Sequence, residues 1–441
     1  MNQEFNKTET QSPQGDEPVK VADTCSELVS AKHTDIVSQE AEHSPAPVKD
    51  KRNFLLFSLM SISALLVILI FFITRGGNHG TNTLFRDGLL AIEVGDKWGY
   101  VNKKGSFVIN PQFDNADNFD NGLARVVSGD KIGFINKKGK FIINPQFEFA
   151  SRFAGGLACV ENDGNFGFID KKGKYIINPQ FDDAEPFSDG LACVESGGRY
   201  GYINKKGEYV INPQFDYAYS FSDGLARVRQ NGKYGFINKK GEFIITPQFD
   251  FADKISDKLF RVKNDNQFGF VDKKGNYVIN PQFDFADYFG DGLLLVENGN
   301  KFGYINKKGK YIINPQFDDA GRFSYHLAYV KSNDKYGYIN KKGKFVINPQ
   351  FDDADCFYNE IAAVKSNGKW GYINKKGKQI VDYKYTSASR FFDDGYAIVR
   401  LENNQYTVIN KKGKELPIVF DSFFINNLDR NNYLIDSIIH P

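Results

Sequence analysis

Four cysteines, two methionines, two tryptophans and five histidines among 441 residues leave little material for several kinds of chemistry. Four cysteines are too few for a disulfide scaffold. Cys25 lies near the N-terminus, Cys356 stands alone, and Cys159 and Cys193 are 34 residues apart. At the sister positions of this pair stand Arg125, Arg227, Leu295 and Tyr329, so the place requires no thiol. The cysteines read as small apolar fillers. His326 is the one histidine between residue 79 and the penultimate residue, which excludes a zinc-type ligand cluster and a repeated catalytic triad. No glycine-rich phosphate loop follows a strand and opens a helix. A lone carboxylate pair is the enzymatic device left open. Charge of one sign is scarce too: the net is +2, and neither the acidic start nor the slightly basic remainder suggests nucleic acid. No cofactor and no metal are expected.

One long apolar run is present. Residues 54–73, FLLFSLMSISALLVILIFFI, are 20 in number and uncharged. As a helix they span about 30 Å, the thickness of a bilayer core. The spacing predicts a transmembrane helix over 53–74. Residues 1–52 are rich in Glu, Gln, Ser, Thr and Pro and read as a disordered tail. Lys49, Lys51 and Arg52 precede the run and Arg75 follows it, which places the tail in the cytoplasm and the rest outside it.

After a linker, 75–84, the chain repeats. Units open at Phe85, Phe119, Phe153, Phe187, Phe221, Ile255, Phe289, Phe323, Phe357 and Phe391, ten at a step of 34. The repeat region is expected over 85–424, with a cap or tail over 425–441. Within a unit, GLARVV and IGFIN read as two strands joined by a Gly/Asn turn. NKKG follows, with Asn first and Gly fourth, the chemistry of a type I turn with a bulge. KFIIN is the third strand, and the proline of PQF marks its end. Three strands reverse the chain direction, so PQFDxA must cross back, through a short fourth strand. The fold class is therefore all-β: a tandem array of antiparallel units, stacked into one core. Propellers usually carry four to eight blades of longer repeats. Ten units of 34 favour an open superhelix, with a propeller-like ring as the alternative.

The string GKWGYINKKGK, residues 368–378, with INPQFDDA and GLA around it, resembles the WG-repeat, or KWG-repeat, family of bacterial proteins. The resemblance runs from about Phe85 to Lys414. Only Trp98 and Trp370 supply the tryptophan; Phe166, Tyr200, Tyr234, Phe268, Phe302 and Tyr336 replace it, and Ile132 is not aromatic. The family implies a repeat-built binding surface, often on envelope proteins, and no catalytic residue.

Two surfaces are candidates. One is a ligand surface of variable or aromatic positions: Arg125, Arg227, Tyr329, Trp98 and Trp370. Packing between repeats competes for the aromatic ones. The other is a polyanion track along the lysine pairs, such as Lys103, Lys104, Lys307 and Lys308, against which stands a simple solvated turn. The carboxylates after PQF, Asp114 to Asp352, are too few per unit for a calcium site and suit turn capping. The expected function is a single-pass membrane-anchored scaffold that binds a protein or an envelope polymer without catalysis. An envelope polysaccharide- or peptidoglycan-acting hydrolase and a structural spacer are the alternatives.

Overall fold

The computed structural model describes residues 82–256 and 258–423. The tail 1–52, the apolar run, most of the linker and the cap 425–441 lie outside the described residues. Among the described residues no helix is long and apolar enough to cross a membrane.

Among the described residues ten antiparallel sheets follow one another, nine of four strands and one of three. The fourth sheet is typical. Asp183–Ala184, Ala192–Ser196, Arg199–Ile203 and Tyr209–Phe215 lie side by side in chain order. The first two strands are joined by a two-residue turn with both residues left-handed, as at Asp189 (φ 55) and Gly190 (φ 89). That is the hairpin turn Asp-Gly suits best. The last two strands are joined by the expected NKKG turn. Gly207 takes φ 83, and the Asn204 side-chain oxygen accepts from the amides of Lys206 (2.8 Å) and Glu208 (3.2 Å).

Two expectations within the unit need correction. The short fourth strand does not complete its own repeat. It opens the next sheet: after Phe113 ends one sheet, Asn115–Ala116 pairs with Leu123–Ser128 of the following one. Nor does proline end the third long strand, which runs on through Phe107–Phe113 with Pro111 inside. The strand is a sheet edge, so a missing N–H breaks no ladder bond. It also bulges. Trp98 pairs with Phe113 but Tyr100 pairs with Ile109, two residues facing four. Being an edge, this strand has one open side, and Val108 and Ile312 are 47 % and 44 % exposed instead of covered on both faces.

Neighbouring sheets pack face to face. Leu89, Ala91, Trp98, Tyr100, Ile109 and Phe113 of the first meet Ala116, Phe119, Ala124, Val126 and Ile135 of the second. Buried tyrosines find partners across the same interface: Tyr100 donates to the Asp117 carbonyl and Tyr202 to the Tyr219 carbonyl, both at 2.8 Å. An aromatic that must be buried thus keeps its hydroxyl satisfied.

The array closes. Ser422–Phe423 pairs with Leu89–Val94, putting Phe423 opposite Ile92 as Ala116 is opposite Val126. Asp421 donates to the Glu93 carbonyl (2.9 Å) and accepts from the Gly95 amide (2.9 Å), which copies the bonds of Asp114 to Val127 (2.9 Å) and Gly129 (2.8 Å). Phe85, Leu90, Ile92 and Val101 then pack on Ile398, Val408 and Phe420, the same set of positions as at an internal interface. The structure is a ten-bladed propeller ring, so the open superhelix is overturned. The rotation from one blade to the next decides closure, and no local residue pattern reports it.

Candidate binding face

All blades share one orientation, so the ring has two kinds of turn face. One carries the Asp-Gly turns and the NKKG turns together. The other carries the turns between second and third strands and the one-residue links between blades.

On the second face the lysines that open the third strands are paired with carboxylates of the same ring. Lys97 pairs with Asp114 (2.5 Å), Lys131 with Glu148 (3.2 Å), Lys233 with Asp250 (2.5 Å) and Lys335 with Asp352 (2.6 Å). The carboxylates after PQF therefore bind a lysine of their preceding blade and cap a turn amide. Lysine and turn amides hold the Asp114 and Asp352 carboxyls below the usual range.

On the lysine-turn face the two lysines of a pair differ. In four blades the first reaches back to a carbonyl of the preceding blade, while Lys375 pairs with Glu360 of its own blade (3.2 Å). Lys137 donates to the Asp87 carbonyl (3.0 Å), and Lys205, Lys239 and Lys341 make the same bond to Gly155, Asp189 and Asp291. Lys103 reaches across the closure to the Asp394 carboxylate (3.4 Å), while Lys307 lies over a ring of its own blade, 5.3 Å from the centre of Phe289. The second lysine of each pair, Lys104 and Lys308 included, is exposed. Among the described residues none of these second lysines has an ion pair or hydrogen bond to its ammonium. The aspartates of this face are in use: Asp87 and Asp189 accept from Gly122 (2.6 Å) and Gly224 (2.8 Å) of the next blade.

The five residues of the predicted ligand surface lie between blades. Trp98, Trp370 and Tyr329 are each 7 % exposed. Arg125 donates to the Ala150 carbonyl (2.7 Å) and, with Arg152, to the Asp117 carboxylate. Arg227 donates to the Ala252 carbonyl (3.0 Å), its guanidinium 3.7 Å from the Tyr219 ring centre. Cys159 and Cys193, both buried and neither in a disulfide, donate to the carbonyls of Ala184 (3.3 Å) and Ala218 (3.4 Å). In blades 2 to 6 the variable position thus donates to the carbonyl of the recurring alanine in the next blade. Its partner eight residues earlier varies with it: Asp117 with Arg125, Asp253 with Arg261, Gly321 with Tyr329, whose ring a Cβ at 321 would overlap. Burial pushes the Asp117 carboxyl up, but Arg125 and Arg152 outweigh it and hold it below the usual range.

One cluster was not anticipated. In blades 8 and 9 the Asp-Gly turn is replaced by Tyr325-His326 and Asn359-Glu360, yet the backbone stays left-handed, at φ 51, 72, 47 and 68. Tyr325 bonds Asn359 (3.0 Å) and stacks edge-on against Tyr358. Tyr358 in turn donates to Asp393 (2.8 Å) and accepts from the Asn82 side chain (3.1 Å). The cluster clasps the incoming chain. The signal was legible as the loss of glycine at 326 and 360. Non-glycine residues hold this conformation at a cost. We expect His326→Gly and Glu360→Gly each to stabilise the ring by about 0.5–1 kcal/mol in a denaturant titration; a destabilised variant would show that the side chains matter more than the backbone.

Three buried carboxyls titrate high. Burial pushes Asp355 up to about 7 and Asp183 and Asp319 up to about 6. Glu185 adds to the rise at Asp183. Their folded values exceed the unfolded one, about 3.9. Stability they contribute is full below that value and is lost as pH rises through about 6 to 7. Thermal melts should therefore fall between about pH 5.5 and pH 8, and Asp355→Asn should flatten part of the slope. A melt that rises over that interval contradicts the assignment.

Among the described residues no group of histidine, cysteine and carboxylate side chains could hold a metal. A search of curated proteins finds no match. Similar solved structures include the eukaryotic initiation factor, at 12 % identity over 76 % of this chain and 96 % of that one, TM-score 0.43. BamB from Moraxella catarrhalis follows at 10 % identity over 67 % and 98 %, TM-score 0.31. The computationally designed Ika8 protein is similar at 10 % identity over 59 % and 94 %, TM-score 0.33. Scores this low leave the function where the geometry puts it. The WG containing repeat matches nine consecutive segments, residues 98–131, 132–166, 166–200, 200–234, 234–267, 268–302, 302–336, 336–370 and 370–404. With that match spanning more than half of the chain, the protein belongs to the WG containing repeat family.

Proposed function

We propose that the protein is a membrane-tethered, non-catalytic scaffold that takes an acidic macromolecule, a protein or an envelope polymer, on its lysine-turn face. The observation that carries this reading is the contrast between the two turn faces. Lysines on one face are matched by carboxylates in the same ring, while second lysines on the other have no partner. An unpartnered row of cations attracts polyanions and speeds their encounter. The tether is the uncharged run 54–73, with the ring on the non-cytoplasmic side by the bias of flanking cations.

Polyglutamate is a suitable probe. The purified full chain should bind it at low salt and release it as salt rises. Exchanging Lys308, Lys342, Lys376 and Lys412 for Gln should weaken binding by about tenfold or more. Exchanging Lys97, Lys131, Lys233 and Lys335 should leave it nearly unchanged. Equal losses from the two sets would remove the lysine-turn face from the reading.

A further inference from the structure

The lysine-turn face has a direction as well as a charge. Turns with a third lysine, KKGK, occur in blades 2, 3, 7, 8, 9 and 10. Blade 1 has KKGS, blade 6 KKGN, and blades 4 and 5 have KKGE with Glu208 and Glu242. In an open array the three-lysine turns would form two distant groups. Closure makes them one arc, from blade 7 through blade 10 to blades 1 to 3, with blades 4 to 6 opposite.

The chain comes into the ring in the middle of that arc. The Asn82 amide donates to the Asp393 carboxylate (3.0 Å), and the Leu84 and Phe85 amides donate to Asp394 (3.2 and 3.1 Å). Asp393 and Asp394 belong to the turn between the first two strands of blade 10, on the lysine-turn face. The uncharged run ends at Ile73, nine positions before Asn82. A chain of that length reaches no further than about 30 Å.

We infer that the lysine-turn face rests on the anionic surface of the bilayer that residues 54–73 enter, through blades 7 to 10 and 1 to 3, with blades 4 to 6 tipped away. The inference rests on the tether and the basic face proposed above, and sets anionic headgroups ahead of a soluble acidic macromolecule as the occupant of that face. Two independent features agree: the tether is fastened on the basic face, and at the centre of its most basic arc. A short tether keeps the lysines at high effective concentration toward that surface, an advantage that no untethered polyanion shares. Lysines brought within a Debye length of that surface, about 10 Å, are attracted by anionic headgroups.

The test uses the full chain reconstituted into phosphatidylcholine vesicles, with and without phosphatidylglycerol. An alkaline wash reports whether the chain is inserted. A membrane-impermeant acylating reagent, read by mass spectrometry, reports each lysine. With phosphatidylglycerol, Lys138, Lys308, Lys342 and Lys376 should react about fivefold more slowly, and salt should restore them. Lys206 and Lys240 of blades 4 and 5, and Lys97 and Lys233 of the other face, should not change. Retention through the wash with equal rates in both vesicles overturns the docking and leaves the tether standing. Loss in the wash overturns both. Protection by added polyphosphate but not by phosphatidylglycerol assigns the face to a soluble polymer and overturns the inference while keeping the binding face.

Discussion

Gly235→Ala is expected to destabilise the ring by about 3 kcal/mol, the upper end for overpacking, because the atoms in the way are backbone. A Cβ at Gly235 would stand 2.5 Å from the Ile245 carbonyl oxygen and 2.6 Å from the Pro247 nitrogen. The same geometry recurs at Gly99, Gly133, Gly167, Gly201, Gly269, Gly303 and Gly337. None of these glycines has a positive φ, so left-handed freedom does not explain them. The reason is close approach: the bulged fourth strand folds over the glycine of the third. Backbone cannot swing aside as a side chain does. Gly232→Ala is the control. It sits at φ 77 with open space around its Cβ and carries only the cost of a left-handed alanine, about 1–2 kcal/mol. Urea denaturation of both variants separates the two causes. Equal effects would mean that the bulge relaxes and the close approach is not structural.

Removing residues 415–441 is expected to have the larger effect. Phe420, fully buried, would leave the closing interface, and a Phe→Ala change alone costs about 3–5 kcal/mol. Ser422 and Phe423 would vacate the first blade, exposing Ile92 and Val101. Stacked repeats gain stability from nearest neighbours, and a closed ring has no end blade. Opening it creates two at once. We expect a broadened thermal transition, several degrees lower, and early proteolysis in blades 1 and 10. Phe420→Ala should show the same cleavage sites more weakly. A truncated chain that melts as sharply and as late as the full one would mean that the ring is held elsewhere.

Local chemistry was legible and global geometry was not. Asn204, Lys206 and Gly207 form the turn that their order requires, because a type I turn with a bulge is decided within five residues. Trp98 and Trp370 pack between blades, the reading that competed with a ligand role for them. The boundary of the blade was missed by a few residues, since PQF and DxA look like one phrase but belong to two sheets. Arg125 and Tyr329 looked like ligand positions because they vary. They vary because each answers a different residue across or beside it, Asp117 in one case and Gly321 in the other. Variation within a repeat protein can thus mark an internal match between neighbours as well as an external surface. Lys103 and Lys104 read as equals, and only the position of the preceding blade tells the tied one from the free one.

Closure also constrains how this protein can change over generations. A spiral of repeats can gain or lose a unit by a simple duplication, with every remaining interface intact. In this ring the segment that follows the last repeat must meet the strand that begins the first, in one register. An eleventh unit would require every interface to turn by a smaller angle simultaneously. Pairs across the seam between blades, such as Arg152 with Asp117 and Arg322 with Asp287, further tie particular blades to particular neighbours. The number of blades is thereby inherited as a whole, and drift among the copies is confined to exchanges that keep the circle.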